Sequence, residues 1–341
     1  MAETTLKKIN PILAFIAEIF KKAFYLVKSV ITFILALFLI FFILAIFSSI
    51  LIVKEGGDKF YTGEKILKTE GIAETQNKIV VQKITGTVSL NGGADLFYGG
   101  ESITPAIFEN TFANIKKDSQ VKAVIFDIDS PGGSPVASDR IFELIQDFKK
   151  ETQIPVIFLM GDLAASGGYY IAAASDYIVA NPSTLTGSIG TIMESYNFEG
   201  LYEKLGIQKN TFKTGEYKDI LSDSRPITEQ ELKIIQDLNT NTYDLFVQRV
   251  SEGRKLPVEF VKSIANGQIY SGRQAKDLDL VDSLGNLDEA VYQAKSLANI
   301  QDFKVVEYQS NSFFSQFMSQ IKTNFSPLTL LYKPATIYTQ R

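Results

Sequence analysis

Residues Val30–Val53 (VITFILALFLIFFILAIFSSILIV) contain no charged side chain, and this run limits the fold more than any other stretch. A helix rises about 1.5 Å per residue, so a run of this length spans roughly 36 Å, enough to cross a hydrocarbon core of about 30 Å with some tilt. A buried core helix would carry a polar face, which this run lacks. A cleaved leader would be shorter and followed by a small-x-small site. Lys7, Lys8, Lys21, Lys22 and Lys28 precede the run, whereas Lys54 and Lys59 beyond it are offset by Glu55 and Asp58. The charge bias predicts a single transmembrane helix over 30–53, with residues 1–29 in the cytoplasm and everything after Val53 on the far side. Within the cytoplasmic segment, PILAFIAEIFKKAF has the pattern of an amphipathic helix lying at the interface.

Beyond the span, residues 54–78 are polar and glycine-containing and read as a stalk. Ile79–Ile84 (IVVQKI) opens a region, 79–308, of a size that suits one α/β domain. Val121–Asp127 (VKAVIFD) and Pro155–Met160 (PVIFLM) are short branched apolar runs typical of buried parallel strands. Between them, Val136, Ile141, Leu144, Ile145 and Phe148 have helical spacing, with Ser134 as N-cap and Pro135 at the first helical position. A second helix begins at Thr228, which makes a capping box with Glu231; Leu232, Ile235, Leu238, Leu245 and Phe246 are expected along its buried side. The alternation of strand and helix argues for an α/β fold. The tail, 309–341, is rich in Phe, Ser and Gln without periodicity and is left unassigned.

The 341 residues include no histidine and no cysteine. That removes the Ser-His-Asp triad, imidazole and thiolate metal sites, thiol catalysis and disulfides. A formal net charge of −4 offers no electrostatic footprint for nucleic acid. Carboxylates, lysines, arginines, tyrosines and hydroxyls remain for chemistry, and no metal or cofactor is expected.

Two small-residue turns stand out. In GDLAASGGYY, Ser166 follows an apolar strand and precedes Gly167-Gly168 and a helical-looking run, while Ala164 and Ala165 keep the approach open. Taken singly, a serine here is an N-cap. In FDIDSPGGS a strand ends at Gly132-Gly133 just before a helix, a geometry that presents backbone N–H groups to developing negative charge. One turn would supply a nucleophile and the other an oxyanion hole, with Gly133 and Gly167 as donors. Asp127 and Asp129 could form a catalytic carboxylate pair, but aspartates at a strand end before a turn are ordinary. The proton acceptor for Ser166 must be lysine, carboxylate or tyrosine. Lys218 in TFKTGEYKDI follows a glycine turn, and Ser188 in TLTGSIG is a hydroxyl suited to orient an amine. In water only about one lysine in 2,500 is neutral at pH 7, and making one a base takes about 3–5 kcal/mol of desolvation and positioning.

The blocks DSPGGSPVASDRI, AASGGYYIAAASDYIVANPSTLTGSIG, KTGEYKD and ANGQIYSGRQAKDLDLVDSLGNLDEA, in this order between about Ile79 and Ala298, resemble the signal peptide peptidases of the SppA type. These are membrane-anchored Ser-Lys peptidases with a fold similar to Clp proteases and crotonases. The resemblance implies a Clp protease/crotonase-like α/β domain of repeated strand-turn-helix units behind a single N-terminal transmembrane helix. It implies Ser166 as nucleophile, Lys218 as general base, Ser188 as the hydroxyl that holds it, and Gly133 as the oxyanion glycine. It also implies cleavage of hydrophobic peptides, namely signal peptides left in a bacterial cytoplasmic membrane after export, by a domain outside the cytoplasm. One copy of the catalytic region matches the short form, which works as a homo-oligomeric ring with serine and lysine supplied by neighbouring chains. Asp279 departs from the pattern by standing where a glycine is expected, in a turn that tolerates Asp. The rival readings are a related Ser-Lys peptidase that processes one membrane protein, a non-catalytic partner of the same fold, and an acyl-CoA enzyme of the crotonase kind.

Overall fold

The computed structural model describes residues 63–309 except 73, 93 and 96–99, together with helical positions between 18 and 40. The chain forms two units, Met1–Phe60 and Tyr61–Arg341. In the first, every described position from Glu18 to Ile40 is helical, and Phe24, Phe33, Leu35, Leu37, Leu39 and Ile40 are all exposed. The remainder of the expected span, 41–53, lies outside the described residues, as do residues 1–17 and the tail beyond 309. Among the described residues no helix is long and apolar enough to cross a membrane.

The second unit opens with β1 (Gly63–Glu70) and β2 (Lys78–Thr85), then a short antiparallel pair, β3 (Ala94–Asp95) and β4 (Gly100–Glu101). Strand and helix then alternate: α1 (Pro105–Lys117), β5 (Val121–Ser130), α2 (Pro135–Thr152), β6 (Val156–Ala165) and α3 (Gly167–Ala172). β7 (Tyr177–Ala180), β8 (Leu185–Gly187), α4 (Glu199–Leu205), α5 (Glu229–Arg254) and α6 (Val258–Ile264) follow. The described chain closes with β9 (Ile269–Ser271), α7 (Gly272–Asp277), β10 (Ser283–Leu284), α8 (Leu287–Leu297) and β11 (Phe303–Gln309). The main sheet runs β1-β11-β2-β5-β6-β7-β10, with β8 paired to β6 and β9 to β8. β11, β2, β5, β6, β7 and β10 are parallel. The central strands β5, β6 and β7 are buried on both faces over most of their length, which is why they read as near-continuous apolar runs.

Alternation along β5 divides the core. Val124, Phe126 and Ile128 face α1 and α2, where Phe108 lies 4.7 Å from Phe126 and Phe112 stacks on Phe148 at 4.1 Å. Ala123 and Ile125 face α8 through Ala290, Val291 and Ala294. Truncating a side chain such as Phe126, which is fully buried, costs about 3–5 kcal/mol. Both expected helix starts form: Ser134 Oγ accepts the Ala137 N–H with Pro135 in the first turn, and Thr228 and Glu231 complete a capping box.

Three expectations change. The stretch 54–78 contributes an edge strand, β1, and not only a stalk; its polar composition reflects exposure, while its backbone pairs with β11. In α5 the expected buried side holds only at Phe246, joined by Val247 and Val250; Leu232, Leu238 and Leu245 are exposed, with no described residue covering them. Val136, in the first turn of α2, is exposed as well. Asp279 adopts φ +56°, so the departure from glycine falls at a left-handed position that Asp can occupy.

Candidate active site

β5 and β6 are adjacent and parallel, so the two small-residue turns emerge side by side at the carboxyl ends of neighbouring strands. Ser166 links β6 to α3 with φ +51° and ψ −121° and makes no side-chain cap bond. A non-glycine residue there is strained by about 1–3 kcal/mol, and such strain persists only where the surroundings enforce it. Here the Ser166 N–H donates to Gly187 O at 2.8 Å, and its carbonyl accepts from the Tyr170 N–H at 2.9 Å. The hydroxyl, half-buried, has no hydrogen-bond partner among the described residues.

The Gly132-Gly133 turn packs directly against this corner. Gly132 has φ +96°, and a Cβ on it would lie 2.5 Å from Gly167 N and 2.9 Å from Ser166 Cβ. A Cβ on Gly167 would lie 2.6 Å from Ser138 Oγ and 3.1 Å from Gly133 N. Backbone thus meets backbone, which only glycine permits. Val88 anchors the turn from the other side, donating to Gly132 O and accepting from the Ser134 N–H, both at 2.8 Å. Neither the Gly133 nor the Gly167 N–H donates to another described group, so two free donors flank Ser166. Two free N–H groups beside a hydroxyl can stabilise an oxyanion.

Ser188 comes beside Ser166 through sheet pairing. β8 lies parallel to β6, with Ala165 opposite Gly187, and Ser188 follows at φ +49°, held by its N–H to Gln268 O at 2.8 Å. Lys218 is different. Its turn is made by Gly215 at φ +91°, the Lys218 side chain is exposed, and its ammonium has no partner among the described residues. No hydrogen bond joins its ammonium to Ser166 or Ser188 among the described residues.

Among the other candidate acceptors, Tyr169, Tyr170 and Asp129 are engaged. Burial pushes the Tyr169 and Tyr170 phenols well above their usual range, and both hydroxyls donate, to Leu280 O at 2.9 Å and to Asp139 Oδ1 at 2.8 Å. Asp127 and Asp129 share one face of β5, both pushed up by burial, and no hydrogen bond joins their carboxyls. Asp129 Oδ1 accepts the Leu163 N–H at 3.2 Å, a role that the reading of an ordinary strand-end aspartate did not include.

The turn bearing Lys218 is fixed by charge. Asp219 accepts from Lys213 at 2.6 Å and from Arg225 at 2.8 and 3.1 Å, and Arg225 also pairs with Glu231 at 2.5 Å. Arg225 holds the Asp219 carboxyl well below the usual range and, helped by the Thr228 N–H, holds Glu231 down to about 2. No residue from Gly190 to Gln230 is buried.

Peptidase family S49 matches residues 148–301, a span that includes Ser166, Ser188 and Lys218. A protein of Enterococcus faecium provisionally named signal peptide peptidase SppA is 36% identical over 259 residues, 75% of each chain. A protein of Methanocaldococcus jannaschii provisionally named a protease is 39% identical over 58% of this chain and 63% of its own. The chloroplastic serine protease SPPA of Arabidopsis thaliana is 35% identical over 71% of this chain, which spans 35% of that relative's length. With relatives of this identity across most of its length, and a serine corner flanked by two free backbone donors, the chain belongs to peptidase family S49 and is a serine endopeptidase.

Proposed function

We propose that the chain is a membrane-anchored Ser-Lys peptidase that degrades signal peptides left in the bacterial cytoplasmic membrane after export. The observation that carries this reading is the meeting of the Ser166 corner with the free N–H groups of Gly133 and Gly167. Ser166 Oγ attacks the scissile carbonyl while the neutral amine of Lys218 takes its proton. The two amides hold the oxyanion, and the lysine returns the proton to the leaving amine. Water then attacks the acyl-serine ester, with the same amine as base. Ser188 orients that amine without a carboxylate's preference for the ammonium form.

Two features support a site completed by a second copy in a ring. A base lysine needs dry surroundings, yet Lys218 is exposed in the single chain. The segment that carries it has no buried residue and exposes Ile192, Tyr196, Phe212 and Tyr217. A neighbouring chain covering that apolar surface would bury the lysine as well. The exposed Phe, Leu and Ile side chains of the helix between 18 and 40 favour a lipid environment for the N-terminal unit, with the first residues in the cytoplasm and the catalytic unit outside. Such an anchor raises the effective concentration of hydrophobic substrates at the groove.

The test is labelling of purified full-length protein with a fluorophosphonate, followed by peptide mapping, and analysis of peptides in membranes carrying Ser166→Ala. The reading expects one adduct, on Ser166, and an accumulation of signal peptides in the variant membranes. An adduct elsewhere would overturn the nucleophile. An unchanged signal-peptide content with one other membrane protein left unprocessed would overturn the substrate class.

A further inference from the structure

Asp129 belongs to neither the nucleophile, the base nor the oxyanion donors, yet it stands where the strand leading to Ser166 changes neighbours. β6 pairs with β7 from Ile157 to Met160, and with β8 from Leu163 to Ala165. Between these stretches its ladder with β5 slips: Ile128 lies opposite Met160, but Ser130 lies opposite Ala164. β6 therefore carries two more residues than β5 across the slip. Extra residues in a strand leave backbone groups without ladder partners.

Side chains supply those partners. The Leu163 N–H donates to Asp129 Oδ1 at 3.2 Å, and Gly161 O accepts from Thr184 Oγ1 at 2.7 Å. Gly161 lets the strands approach, since a Cβ there would lie 3.3 Å from Ile128 O and 3.4 Å from Asp129 Cβ. Burial and nearby Asp162 both work against the Asp129 carboxylate, and the Leu163 N–H works for it. Past the slip, Ala165 reaches Gly187 and the Ser166 N–H bonds Gly187 O, so the position of the serine depends on how β6 is held at 161–163.

We propose that Asp129 is a positioning residue for the nucleophile: by holding the Leu163 N–H it fixes the slip in β6, and with it the placement of Ser166 against the Gly133 and Gly167 donors and beside Ser188. The proposal rests on the reading of Ser166 as nucleophile. Asp129→Ala removes the acceptor. Asp129→Asn keeps an oxygen that can accept the same bond and removes the charge. Thr184→Val removes the second support at nearly constant shape.

The experiment uses the full chain and measures turnover of a short peptide, fluorophosphonate labelling rate, and hydrogen exchange over 161–166. Asp129→Ala should lower kcat and labelling by roughly 10- to 100-fold, as for a nucleophile displaced by a fraction of an ångström to an ångström. KM should stay within about twofold, because substrate binding surfaces are untouched. Exchange over 161–166 should quicken. Asp129→Asn should recover labelling to within about threefold of wild type, and Thr184→Val should fall in the same direction as Asp129→Ala. Wild-type labelling in Asp129→Ala would overturn the proposal. So would an Asp129→Asn protein as slow as Asp129→Ala, which would assign the loss to charge. If Asp129→Ala does not fold, wild-type labelling and exchange in Thr184→Val would overturn it. Hydrolysis by Ser166→Ala would remove the nucleophile reading itself, and is distinguishable because exchange over 161–166 would be unaltered.

Discussion

Replacing Gly132 with alanine puts one methyl group where the two turns of the site meet. Built on the native backbone, that carbon lies 2.5 Å from Gly167 N, 2.9 Å from Ala165 O and 2.9 Å from Ser166 Cβ. Ordinary contact begins near 3.4 Å, so the two turns must part by about 0.9 Å, which separates the Ser166–Gly167 corner from the Gly133 donor. A misplacement near 1 Å costs about 10²-fold in rate, and loss of one oxyanion donor, the role proposed for the Gly167 N–H, costs about 10²–10³-fold, or roughly 2.7–4 kcal/mol of barrier. The backbone adds its own strain, since φ +96° suits glycine and an L side chain there costs about 1–2 kcal/mol. For a domain of this size each kcal/mol lowers Tm by about 2–4 °C, so a fall of roughly 2–8 °C is expected. Gly206→Ala separates the effects: φ is +66° and nothing lies within 4 Å of the added carbon. It should reproduce the strain and spare the chemistry. The measurements are kcat on a fluorogenic peptide, fluorophosphonate labelling rate and thermal melting. Gly132→Ala protein that labels at the wild-type rate would refute the reasoning, as would Gly206→Ala protein that loses as much turnover.

Lys218→Arg should be as inactive as Lys218→Ala in peptide hydrolysis, because a guanidinium keeps the charge but cannot take a proton from serine; restored turnover would move the base elsewhere. Ser188→Ala should slow turnover without abolishing it and displace the alkaline limb of the pH–rate profile, whereas an unaltered profile would contradict an orienting role. Ser166→Ala and Lys218→Ala subunits, each inactive alone, should regain activity at about a quarter of sites when co-assembled at equal ratio, if neighbours share the dyad; inactive mixed assemblies would place both residues in one chain. Arg225 holds Glu231 at about 2, below the roughly 4.3 of an unfolded glutamate. A depressed carboxyl stabilises the fold above the unfolded value and loses that contribution as pH falls towards 2. The Tm deficit of Arg225→Met should therefore be constant from pH 5 to 8 and shrink below about pH 4.3; a deficit that does not change with pH would show that the ion pairs are not its source.

Local signals were legible and distant ones were not. The Ser134-Pro135 and Thr228–Glu231 helix starts need only residues within one turn, and both form where the spacing put them. The glycine turns at 132–133 and 167–168 were visible as small-residue strand ends, and the α/β alternation followed from branched apolar runs between helical patterns. Which turn touches which was not readable, because the 2.5 Å approach of Gly132 to Gly167 depends on β5 and β6 being neighbours. Leu232 and Leu238 carry the periodicity of a buried stripe, but periodicity marks an apolar face without saying what covers it. Asp129 read as an ordinary strand-end aspartate because its partner, the Leu163 N–H, is a backbone group with no signature in the sequence.

β11, the final described strand, lies between β1 and β2, antiparallel to one and parallel to the other. During synthesis this interior position stays empty until nearly the whole domain has been made. Glu64 faces Tyr308, so closing that pair brings together residues about 240 positions apart, a slow, non-local step. Before it closes, β2 offers a bare ladder beside Ile79, Val80 and Val81, all buried once folding is complete, and β1 lacks the strand it pairs with among the described residues. Nascent chains are therefore exposed to edge-to-edge association late in folding. A chain shortened to Asp302 would keep every residue of the serine corner and still present that open edge.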